Sequence, residues 1–258
     1  MIDRPHPDPD EAAPTGPPPP PAGQRRLGIG ATLGWAVLVF LIAQAVGFVI
    51  ILLSGKMPAG EGTIYDGILV ALVTLVTNPV QIVLFGAVAR WRAGAHPFDY
   101  LGLIPFSWRD FVIGLLAVVA LVAAIDGASW LAGLEIVSSF QTESYSTARA
   151  QGWLLPLVLA VVVVGPAGEE IMFRGFLFRG WVGPGMRGVI AVVAISLIWA
   201  GMHVQYDWLG IGQVFVTGLL LGWLRWQSGS TWLTIVLHML VNLEGTLEAM
   251  AKIGWTQP

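Results

Sequence analysis

The chain has no cysteine, which excludes disulfides, a thiol nucleophile and thiolate metal ligands. Charge is nearly as scarce. Asp, Glu, Lys and Arg make up 11% of the 258 residues, against about 25% in soluble domains. Hydrophobic residues make up 55%, and the mean hydropathy is +0.74. This is the composition of a polytopic membrane protein, with the lipid bilayer as its first partner. The formal net charge of −3 argues against nucleic acid as another. Compact catalytic signatures are missing as well: there is no G-x-S-x-G elbow for a serine hydrolase and no H-E-x-x-H for a zinc peptidase.

What is present is a succession of apolar runs joined by short connections. The pattern predicts an all-α fold, a polytopic transmembrane helical bundle of about seven spans (six to eight) around a membrane-embedded polar cavity. Residues 1–26 hold nine of the seventeen prolines and form a disordered, proline-rich tail: a solvated segment first, a docking site for a proline-binding partner second. Residues 27–152 are the N-terminal transmembrane helices, with spans at 29–53, 67–89 and 111–134. Asn78 in the second could line a cavity, but a bond to another helix is the expectation for it, and Asp126 in the third lies near its span's end. Residues 91–109 are expected as a loop or interfacial segment, and 135–151 as a polar loop. Residues 153–258 form a catalytic helical core with spans at 153–180, 189–203, 208–226 and 232–250. Trp199, among other tryptophans, is assigned to packing and interfacial belts. Under alternation, Arg25, Arg26, Arg90, Arg92, Arg109, Arg179, Arg187 and Arg225 fall on one side, which places the N-terminus in the cytoplasm of a multi-pass cell-membrane protein.

The fourth span carries Gly165-Pro166-Ala167-Gly168-Glu169-Glu170-Ile171-Met172-Phe173-Arg174. Charge in a membrane segment costs about 2.5–3.5 kcal/mol per residue at mid-bilayer and marks function. Pro166 is expected in the first turn of a fresh helical segment, with both glutamates near the positive end of its dipole. Consecutive helical residues diverge by about 100°. Arg174, four residues after Glu170, pairs with it, leaving Glu169 to face a cavity as general base. His203 and His238 enter from later spans, and Asn242 shares a helix face with His238. Glu169 and His203 can hold an attacking water, while His238 and Asn242 can donate to an oxyanion. The same Glu169, His203 and His238 are also candidate ligands for a divalent metal such as zinc; no cofactor is required by the sequence, and the absence of compact ligand motifs favours the metal-free use. Counted from the cytoplasmic ends, His203 lies deeper than Glu169 and His238, so one span must be tilted, broken or re-entrant.

At these residues the chain resembles the CAAX-protease and bacteriocin-processing family of intramembrane proteases. The family's E-E-x-x-x-R matches Glu169 to Arg174, its F-x-x-x-H matches Trp199 to His203 with tryptophan in place of phenylalanine, and its H-x-x-x-N matches His238 to Asn242. The resemblance covers 153–245 and implies an intramembrane endopeptidase acting on a membrane-associated or prenylated peptide or protein. It implies catalytic Glu169, water positioning by His203, oxyanion support from His238 and Asn242, and supporting roles for Glu170 and Arg174. The family also contains non-catalytic scaffolds and immunity proteins, a second reading of the same cavity. A transporter is disfavoured, since no inverted repeat is evident.

Overall fold

The computed structural model describes residues 27–55 and 65–254. The proline-rich tail and most of the loop after the first span, on which the sequence reading also commented, lie outside them. Among the described residues the structure is all helical. It comprises α1 (Ile29–Ser54), α2 (Gly67–Arg92), the single turn α3 (Pro97–Tyr100), α4 (Trp108–Leu131), α5 (Ser139–Ala150), α6 (Leu154–Trp181), α7 (Met186–Gly201), α8 (Trp208–Ser228) and α9 (Thr231–Lys252). Six of these are long and apolar enough to cross a membrane: α1, α2, α4, α6, α8 and α9. The expected seventh span is α7, 16 residues long, or about 24 Å, short of a ~30 Å hydrocarbon core. That shortness resolves the depth of His203, which sits in the turn that follows α7.

Local chemistry sets the helix starts. Asp66 accepts from the Ile68 and Leu69 amides at the head of α2, Asp207 from Gly210 at α8, and Ser230 from Leu233 at α9, the capping that orphan amides require. The segment expected as a polar loop at 135–151 instead contains α5. Ser138 Oγ accepts from the Gln141 amide while Gln141 Oε1 accepts from the Ser138 amide, a reciprocal capping box strong enough to start a helix in a Ser/Thr-rich stretch. Thr147 Oγ1 then accepts from the Gly67 amide at 2.9 Å, and Tyr145 bonds Thr246, so α5 ties α2 to α9.

The element that organises the bundle is α6, packed between α2, α9, α1 and α7. It is one continuous helix of 28 residues with two π-helical stretches, Leu159–Val164 and Ile171–Leu177. Pro166 therefore does not open a fresh segment, and Glu169 and Glu170 lie near the middle of a helix, away from any dipole end. In the first π stretch the Gly165 amide reaches back five residues to the Ala160 carbonyl. The next donor in that register would be Pro166, which has none, and the Val161 carbonyl it leaves is taken by Asn242 Nδ2 at 2.9 Å. Gln81 Nε2 donates at 3.2 Å to a second α6 carbonyl, that of Gly168, which also accepts from the Ile171 amide. Two carboxamides from flanking helices thus hold α6 in its broken register.

Arg225, counted above as an interfacial charge, is buried. Its Nε donates to the Arg174 carbonyl at 2.9 Å and to Thr231 Oγ1 at 3.0 Å, and Thr231 Oγ1 donates to the Leu101 carbonyl at 2.6 Å. The side chain passes over Gly102 so closely that a Cβ there would lie 2.2 Å from its Nη2, and Gly102 has φ +66°. Arg225 is a bolt between α6, α9 and the 101–104 turn, and carries no weight as an orientation signal.

Candidate active site

The two neighbouring glutamates part company across α6. Glu170 is fully buried. Its Oε1 accepts from Arg174 Nη1 at 2.8 Å and lies 3.0 Å from His238 Nδ1. Arg174, equally buried, donates through Nη2 to the Gly218 carbonyl at 3.2 Å. Burying a charge is tolerable only when it is paired and hydrogen-bonded, and here the guanidinium of α6 and the imidazole of α9 both meet the carboxylate at Glu170 Oε1. This ion-pair cluster links α6, α8 and α9.

Glu169 points the other way. Its side chain is 33% exposed and lines a cavity of about 180 Å³ with Asn78, Gln81, Met172, Trp199 and His203. Its Oε2 accepts from Trp199 Nε1 at 2.7 Å and lies 3.9 Å from His203 Nε2. His203 Nδ1 is 2.8 Å from the Trp199 carbonyl. A carbonyl can only accept, so Nδ1 carries a proton, and in the neutral ring Nε2 then presents its lone pair towards Glu169. Two acceptors thus face one small space, an arrangement suited to a water that donates a hydrogen to each.

Trp199 joins the two halves, in contrast to the packing role expected for it. Its indole N–H holds Glu169, its ring lies 4.4 Å beneath the Arg174 guanidinium, and both His203 and His238 meet it edge-on at 5.1 and 5.3 Å between centroids. Phenylalanine, the residue of the family pattern, has no donor to offer there. Tyr206 was likewise missed: its ring stacks on His203 at 6.1 Å with an 8° interplanar angle. Burial first, and then the Glu169 charge, push its phenol up to about 12, so it remains a donor at neutral pH.

Of the sequence candidates, Glu169 and His203 share the cavity. His238 is turned to Glu170, and Asn242 to the Val161 carbonyl; neither lines the cavity. The donor atoms of Glu169, His203 and His238 do not converge on one point, whereas a zinc centre takes at least three protein ligands in one small shell. The arrangement therefore does not fit the metal considered from sequence. Among the described residues the acidic or histidine side chains that do converge, within 4.8 Å, are Asp126, Glu244 and Glu248, which settles Asp126 apart from the Glu169 cavity. Asn78 takes the less expected of the two roles weighed for it: it lines the cavity, and it presses on α6, since a Cβ on Gly168 would lie 2.0 Å from its Oδ1. The cavity wall thus draws on the first two helices as well as on 153–258.

Fold and site together define a multi-pass helical membrane protein with a glutamate–histidine pair at a cavity inside the bundle. Residues 151–243 match the family model described as type II CAAX prenyl endopeptidase Rce1-like. That span contains Glu169, Arg174, His203, His238 and Asn242, and bears out the family resemblance drawn from the three motifs; it is a family of membrane proteases. Over 168 residues the chain is 26% identical to an uncharacterised 24.3 kDa protein of Escherichia coli, covering 61% of this chain and 70% of that relative. No solved structure matches the chain.

Proposed function

We propose that the protein is an intramembrane endopeptidase in which Glu169 activates water for attack on a peptide bond. The observation that carries this reading is the 3.9 Å approach of His203 Nε2 to the Glu169 carboxylate at the wall of the cavity. A water between them donates one hydrogen to each acceptor, which leaves an oxygen lone pair free. As that oxygen bonds the scissile carbonyl carbon, its proton passes to Glu169; the C–N bond then breaks and Glu169 returns the proton to the leaving amine. Trp199 keeps the carboxylate aimed throughout. Glu170, Arg174 and His238 hold α6 at the depth this requires. Asn242 and His238 would have to leave the Val161 carbonyl and Glu170 to serve an oxyanion, so we assign them to holding the helix. Arg90, Arg92 and Arg109 on one side of the bundle support a cytoplasmic N-terminus.

The test compares new protein N-termini and released C-terminal peptides in host membranes carrying wild type or Glu169→Gln at matched abundance. Termini that appear with wild type alone are expected. Identical pools would overturn the protease reading and favour a scaffold or immunity protein.

A further inference from the structure

Four carboxamides stand on α1, α2 and α9, and they divide into two kinds. Gln81 and Asn242 are committed to the Gly168 and Val161 carbonyls of α6. Gln44 is exposed on α1 and makes no hydrogen bond among the described residues, although the helix around it is apolar. Asn78 turns Nδ2 back to the Thr74 carbonyl at 3.2 Å, and its Oδ1 accepts nothing among the described residues. Gln205, in the turn after α7, is also without a hydrogen bond there. Gln44, Asn78 and Gln205 all line the Glu169 cavity.

A polar group without a partner inside an apolar span is unfavourable, so the Gln44 amide and Asn78 Oδ1, with the unbonded Gln205 beside them at the same cavity, call for an occupant that supplies partners. An extended peptide does. Before cleavage its backbone N–H and C=O groups have left their own secondary structure, and in an apolar setting each costs several kcal/mol unless paired. Soluble proteins commonly meet this need by adding the peptide to a strand edge, but among the described residues there is no strand. A carboxamide carries the same donor and acceptor as a peptide group. We propose that Gln44, Asn78 and Gln205 form the subsite that holds the backbone of an extended, apolar peptide beside Glu169, with Phe40, Met172 and Phe173 against its side chains. This deepens the protease reading and rests on it.

Binding tests the subsite without catalysis. The probe is a fluorescent, palmitoylated Leu/Ala peptide and its backbone N-methylated counterpart, titrated by anisotropy against the full chain carrying Glu169→Gln in nanodiscs. Gln44→Leu and Asn78→Leu, each added to that background, are expected to weaken the unmethylated peptide about tenfold, or ~1.4 kcal/mol. They should leave the N-methylated peptide, already weaker on the parent, unchanged. Leu41→Ala on the same helix, itself 57% exposed, should alter neither. Should Asn78→Leu unfold the chain through its contact with Gly168, Gln44→Leu decides alone. Equal binding by parent and Gln44→Leu, or no preference of the parent between the peptides, overturns the subsite. With Glu169 restored, cleavage whose KM is unmoved by Gln44→Leu would sink the subsite and leave the protease standing. Selective binding without cleavage would do the reverse.

Discussion

Glu169 and Glu170 are adjacent in the chain and opposite in circumstance. One faces a cavity, a third exposed, held by a single indole N–H; the other is sealed, with an arginine and a histidine on the same oxygen. The rotation between successive helical residues, about 100°, is enough to separate chemistry from architecture. What the pair teaches is that a charged motif in a membrane helix holds two problems with different solutions. A buried carboxylate that must stay put needs neutralising partners. A carboxylate proposed to take a proton needs room and few partners, and Glu169 has both.

The contrast can be broken most sharply by exchanging charge for amide on each side. Glu169→Gln is expected to lower turnover by about three orders of magnitude, in the range of a lost general base, with an unchanged melting temperature. Glu170→Gln and Arg174→Met are expected to do the opposite, destabilising the fold by about 3–5 kcal/mol because each strands a buried partner; thermal melts in detergent check this, and wild-type melts would refute the division. Gly168→Ala probes the seam between the two sides. Its Cβ would meet Asn78 Oδ1 at 2.0 Å, and a loss of about 1–3 kcal/mol is expected from overpacking, relieved in part by Asn78→Ala.

Smaller effects sharpen the picture. Trp199→Phe keeps an aromatic ring against Arg174 and removes the donor to Glu169. A hydrogen bond to a charged group is worth about 1.5–3 kcal/mol, so kcat should fall by at least about tenfold while KM and melting temperature hardly move; equal losses in stability would reduce Trp199 to a packing residue. Asn242→Ala should cost about 1 kcal/mol through the Val161 carbonyl it leaves unpaired. Turnover of the folded Asn242→Ala protein is expected to be retained, and its collapse would return Asn242 to the oxyanion role.

Much of this was legible in the chain. The apolar runs located the long helices because burial in lipid demands long, nearly uncharged helices whatever their neighbours. The spacing of Glu170 and Arg174 announced their pairing, and the E-E-x-x-x-R stretch pointed to the candidate site. Helix α5 was missed although its capping box was written at Ser138 and Gln141, because a Ser/Thr-rich stretch has weak intrinsic propensity. The continuity of α6 through Pro166 was not legible: a π register depends on carboxamides arriving from Gln81 and Asn242, far away in sequence. Trp199 looked like any interfacial tryptophan until the fold set its N–H on Glu169, and Tyr206 carried no signal at all.

By itself, then, the sequence determined the class of environment, the number of long helices to within one, and which side chains would be too costly in lipid to be idle. Those follow from local periodicity and solvation, which act residue by residue. Only the tertiary structure decided which polar group met which: His238 with Glu170, His203 with Glu169, Arg225 inside the bundle, and Gln44 and Asn78 on the cavity wall. Such pairings join helices distant in the chain, and in an apolar medium they follow from which faces pack together, a property no single stretch contains.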